Sequence, residues 1–140
     1  MVISVYNAIF YAKSFLGKPY IWGGDDPIRG FDCSGLVQEI LASVGVDPKG
    51  DQTAQALYGA FDDCVVPEPL AGCLAFYGRD LDHISHVAFC ISDHQVIEAA
   101  GGGSKTKTVE DAVKQNAFIR IRPVKHRLDF LCVVMPRYRF

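Results

Sequence analysis

Apolar side chains near the start of the chain fall at Val2, Val5, Ile9, Ala12 and Leu16, the spacing of one helix face. The Gly17-Lys18-Pro19 run that follows ends that helix. A second apolar run, from Leu36 to Val44, predicts a helix over 33–44 that stops at Gly45. A third helix starts at Asp51 or Gln52 and runs to about Phe61. Beyond residue 73 the pattern changes to short runs of β-branched and aromatic residues, which predict strands over 74–77, 86–92, 95–99, 117–122 and 131–138. A short helix over 109–115 interrupts them. Helices first and strands afterwards imply an α+β fold with an antiparallel sheet. With neither an internal repeat nor a linker, residues 1–140 form a single domain.

The chemistry concentrates at Gly30-Phe31-Asp32-Cys33-Ser34-Gly35, just after the turn-like Tyr20-Ile21-Trp22-Gly23-Gly24. Asp32 is a good helix N-cap, which places Cys33 in the first helical turn. Unpaired backbone N–H groups and the helix dipole favour negative charge there, so a thiol at that position is expected to ionise readily and to act as a nucleophile. A nucleophilic cysteine needs a base, and four histidines are available. His86 leads a strand-forming run and would be held rigidly. His83 lies in a loop-like segment, His94 in a Ser-Asp-His turn, and His126 between Lys125 and Arg127, where solvation is expected. Cys33 and His86 therefore form the candidate dyad.

Three blocks, Gly17 through Gly24, Gly30 through Gly35, and His86-Val87-Ala88, follow one another in an order and spacing that resembles the NlpC-type cell-wall cysteine peptidase family. The resemblance covers roughly residues 8–100. It implies a compact papain-like domain that hydrolyses amide bonds in peptidoglycan stem peptides, between D-glutamate and the diamino acid, without a cofactor. Cys33 takes the nucleophile's place and His86 the general base's. The residue that orients the imidazole is usually a histidine twelve positions beyond the base, and here that position is Glu98. A carboxylate there would fix the tautomer and stabilise the imidazolium. His86 and Glu98 share a sheet face only if their hairpin loop is odd, such as 92–94, or contains a bulge. Tyr20 matches a tyrosine near the nucleophile, where it would stabilise an oxyanion beside the Cys33 backbone N–H. Asp32 and Ser34 match positions that bind the acyl-side residue and its free amine. Cys73 departs from the family's Gly-Asp-Leu, a departure that bears on the local turn. Two other readings stay open: a papain-like amidase or acyltransferase acting on another substrate, and a structural phage-tail component with a vestigial dyad.

Other signals point to structure. Cys64, Cys73, Cys90 and Cys132 read as small core residues, and Trp22 as plain aromatic packing. Gly101-Gly102-Gly103-Ser104-Lys105-Thr106 lacks phosphate-loop spacing and reads as a flexible connection bordering the cleft. Neither CxxC nor HExxH is present, so no metal site is expected. Apolar residues make up 49% of the chain and charged ones 21%, which excludes disordered and collagen-like classes. Residues 1–104 carry 5 Lys or Arg against 13 Asp or Glu, and residues 105–140 carry 9 against 3. The basic third reads as a solvated strand face with Arg120 and Arg122 outward, and no aromatic interleaving suggests nucleic acid.

Five cysteines, an odd number, imply reduced thiols. Lys13 is the first charge and no cleavage site follows, so the N-terminus reads as lacking a signal peptide, and no stretch is long enough to span a membrane. The expected setting is synthesis in a bacterial cytoplasm, with delivery to the wall by a phage tail or at lysis. Phage tail proteins are then possible partners beside the peptidoglycan stem peptide.

Overall fold

The computed structural model describes residues 2–139. Three helices come first: α1 (Ile3–Lys13), α2 (Cys33–Ala42) and α3 (Ala54–Phe61). A two-stranded ribbon, β1 (Asp25–Asp26) and β2 (Gly30–Phe31), lies between α1 and α2. After a 3-10 turn at Asp62–Cys64 come β3 (Val65–Val66), β4 (Leu74–Gly78), β5 (Ile84–Cys90), β6 (Gln95–Ala100), α4 (Val109–Gln115), β7 (Phe118–Pro123) and β8 (Phe130–Val134). The last six strands make one antiparallel sheet in the order β3-β8-β4-β5-β6-β7. The fold is α+β, as the order of periodicities predicts.

The sheet is covered on both faces. On one, Leu36, Val37, Ile40 and Leu41 of α2 are fully buried against Phe76, Val87, Phe89 and Ile97. Burying each of those side chains is worth about 2 kcal/mol. On the other face a smaller cluster gathers Cys73, Ala75, Tyr77, Ala88, Cys90, Val96 and Val133 under Val124, which lies on the β7–β8 connection. The Tyr77 hydroxyl donates to the Val124 carbonyl at 2.6 Å and ties that connection to the sheet. Burial on both faces explains why β4 is buried at every residue and shows no alternation.

The helix starts follow from local chemistry. Thr53 caps α3 through Ala56 N–H, and Thr108 with Asp111 forms a reciprocal capping box on α4. The α1 face needs correction. Val5, Ala8, Ala12 and Phe15 point inward, whereas Val2 and Leu16 are exposed. Ile3, Tyr6 and Phe10 are exposed as well, because α1 is apolar nearly all round and its periodicity fits more than one stripe. At the strands, β5 begins two residues earlier than expected, and β8 ends at Val134, before Pro136.

Candidate active site

The segment 20–24 is stitched between ribbon and sheet. Tyr20 N–H donates to the Ala117 carbonyl at 3.0 Å, Ile21 N–H to Phe31 at 3.0 Å and Trp22 N–H to Thr106 at 2.7 Å. The Gly24 carbonyl accepts from Asp32 N–H at 3.0 Å, which fixes the residue that starts α2. Asp32 Oδ1 accepts the Gly35 N–H at 2.7 Å and lies 3.4 Å from the Ser34 hydroxyl. Cys33 is therefore the first residue of a capped helix, half-buried.

Gly35 allows this turn, since a Cβ on it would overlap the Gly24 carbonyl oxygen. The carbonyl is backbone, and the next nearest atom is the capping Oδ1 of Asp32, so Gly35→Ala should cost about 3 kcal/mol of stability. Chemical denaturation reads the loss, and an unchanged midpoint would mean that the turn beneath Cys33 can shift freely.

His86 enters from the start of β5, buried to 6% exposure, and donates its Nε2–H to Glu98 Oε1 at 2.7 Å. Nδ1 is left as the nitrogen for the sulfur. The parity condition is met: Phe89 pairs with Ile97 and Cys90 with Val96, so Ser92, Asp93 and His94 make an odd connection. Burial opposes a charged His86, but bonding and charge from Cys33, and then from Glu98, outweigh it and raise its pKa to about 9. Burial likewise raises the Glu98 carboxyl, yet His86 and then His126 reverse this and hold it below its ordinary value. Desolvation, helped by negative charge at Cys33 and Asp32, pushes the Tyr20 phenol well above its ordinary value, so it stays a donor.

Tyr20, Cys33, His86, Gly102 and Arg127 line one cavity of about 240 Å³. The Gly101–Gly103 connection borders it as expected. That connection is pinned by Thr106, which is fully buried and accepts from Gly103 N–H at 2.9 Å. Asp32 and Ser34 lie outside that lining, with Asp32 Oδ1 committed to the cap. A larger hollow of about 650 Å³ between Val2, Val5, Met135 and Tyr138 carries neither thiol nor imidazole. Among the described residues no group of three or more His, Cys, Asp or Glu is placed to hold a metal ion, and no helix is long and apolar enough to cross a membrane.

Two expectations are corrected. His126 is turned inward: its Nε2 lies 3.0 Å from Glu98 Oε2, with its side chain 16% exposed. The β7–β8 connection folds over the sheet at Val124 and carries the imidazole with it. Trp22 is 54% exposed, because the turn spends its backbone on Thr106 and leaves the ring outside. His83 and His94 sit at the surface on Asp80 and Asp93. Cys73 and Cys90 are fully buried, Cys64 and Cys132 half-buried, and all five cysteines are free. The turn at Cys73 closes without the aspartate, through Cys73 N–H to Leu70 and Gly72 N–H to Cys90. Sequence reasoning also missed Tyr77, whose ring lies 5.4 Å from that of His86, and Arg127 in the cavity wall. A tyrosine placed next to last in a short strand carried no signal of its own.

The model of the NlpC/P60 family matches residues 17–123. Over 94 residues the chain is 36% identical to the bifunctional muramidase/DL-endopeptidase CwlT of Bacillus subtilis (strain 168), covering 66% of this chain and 28% of that protein. The chain thus spans little more than a quarter of that relative's length. It superposes on a NlpC/P60 family protein from Bacillus cereus ATCC 10987 with a TM-score of 0.73 and 25% identity, over 96% of this chain and 40% of the other. On the P60 domain of antigen MAP1204 from M. avium subspecies paratuberculosis the TM-score is 0.70 with 26% identity, over 98% and 96%. A matched stretch that holds Cys33, His86 and Glu98, on a sheet and helices that superpose almost end to end, makes the chain a member of the NlpC/P60 family.

Proposed function

We infer that the protein is a cysteine peptidase that hydrolyses amide bonds in peptidoglycan stem peptides, between D-glutamate and the diamino acid. One observation carries the chemistry: a half-buried thiol at a helix start shares a small cavity with an imidazole raised to about 9 and bonded to a buried carboxylate. The printed activities of relatives, DL-endopeptidase among them, support the substrate class.

The Cys33 thiolate forms a C–S bond to the amide carbonyl, and the Cys33 N–H with the Tyr20 hydroxyl faces the oxyanion. His86 Nδ1–H protonates the leaving amine as the C–N bond breaks. The same nitrogen then takes a proton from water, which adds to the thioester and releases the acid while the C–S bond breaks. Asp32 Oδ2, free of the cap, is the group proposed for the substrate amine, with Ser34 steadying the carboxylate.

Digestion of purified peptidoglycan, with fragments identified by mass spectrometry, tests the reading. Stems ending in D-glutamate together with peptides that begin with the diamino acid are expected, and intact wall or a different bond overturns it. Detecting the protein in purified virions would test the phage-borne setting suggested by the sequence. Gly102 supplies a second check. A Cβ there would strike the buried Tyr20 ring, so Gly102→Ala should displace the hydroxyl and lower kcat/KM about tenfold in protein that is still folded at the assay temperature. Full activity in that variant would remove Tyr20 from the mechanism.

A further inference from the structure

The Glu98 carboxylate is 1% exposed and has two oxygens to satisfy. Oε1 accepts from His86. Oε2 is shielded from solvent and lies off the direction of any well-aligned hydrogen bond, as does His126 Nε2, and these two atoms stand 3.0 Å apart. A buried carboxylate oxygen without a donor is costly, and so is a buried imidazole N–H without an acceptor. Each is the natural partner of the other. The neighbouring groups are committed elsewhere: Tyr77 on β4 gives its hydroxyl to Val124, and Arg127 forks onto Asp129 at 2.8 and 2.7 Å. Lys125 lies over the Phe130 ring, 5.9 Å away. The Tyr77 ring backs both imidazoles, 5.4 Å from His86 and 6.0 Å from His126. His126 also lies beyond residue 123, where the family match ends.

We propose that His126 is a positioning residue, which donates its Nε2–H to Glu98 Oε2 and locks the carboxylate so that Oε1 stays in line with His86. A carboxylate held by one oxygen can swing about its own bond, and a second anchor on the other oxygen removes that freedom. The proposal rests on the reading of Cys33, His86 and Glu98 as the working groups, but its test needs no substrate. It compares the full chain with His126→Leu, which keeps bulk and loses the donor, and His126→Gln, whose amide can reach the place of Nε2.

Two readouts apply: the low-field proton resonance of the His86 Nε2–H, and the pH midpoint of His86 followed by NMR. In the wild-type protein a slowly exchanging resonance and a midpoint of about 9 are expected. His126→Leu should lose the resonance and lower the midpoint by about one pH unit, with His126→Gln restoring both. A folded His126→Leu with the resonance and midpoint of wild type overturns the proposal. So does a folded His126→Gln that loses both, which also decides the matter should the leucine variant not fold. Absence of the resonance from the wild-type protein overturns the triad reading along with it, whereas the first two outcomes overturn the role of His126 alone.

Discussion

Cys33→Ala should reduce the release of fragments from purified peptidoglycan by at least ~10⁴-fold, with the unfolding midpoint within a few degrees of wild type. The sulfur supplies the new covalent bond, so its loss removes the acyl-enzyme route and leaves only binding and oxyanion stabilisation. The side chain is small and half-buried, and α2 is held by its Asp32 cap and its apolar face, so structure should survive. The measurement is fragment yield against time at matched protein concentration. A loss of only about tenfold would mean that water or the adjacent Ser34 hydroxyl can attack, and that the thiolate is not the nucleophile.

Glu98→Gln probes the charge while keeping the shape. The amide oxygen can still accept from His86, but the imidazolium loses its buried counter-charge. We expect kcat/KM to fall about 10²-fold and the alkaline limb of the pH profile to move toward acid. His86 must be protonated to donate to the leaving amine, so activity is held below its pKa and lost as pH rises through about 9. Lowering that pKa brings the loss to lower pH. Glu98 itself stays ionised across the working range, since its carboxyl is held below the ordinary value. A variant with an unmoved limb would show that Cys33 alone keeps the imidazole charged.

Where local chemistry decides structure, the sequence was legible. Asp32 placed the start of α2 at Cys33, and the helix expected over 109–115 is α4 with those bounds. The pairing of His86 with Glu98 came from the family resemblance, and the three-residue loop meets the parity it required, because side chains alternate strictly along a strand. Other features depended on distant partners. The α1 stripe was misassigned because apolar residues surround that helix and only the sheet and α2 choose among its faces. His126 looked solvated beside Lys125 and Arg127. Its burial comes from Val124 and from Tyr77, which stands 47 positions before Val124, a separation that no local pattern couples. The strand pairs β1–β2 and β3–β8, two residues each, are too short to leave a periodic trace.

The cleft takes its wall from Tyr20 at one extreme and Arg127 at the other, with the thiol and imidazole between. No fragment much shorter than the described chain can therefore assemble it. During synthesis the centre stays incomplete until the segment after β7 has emerged and closed over the sheet. A chain cut before this segment therefore lacks both the Arg127 wall of the cleft and the His126 imidazole beside Glu98.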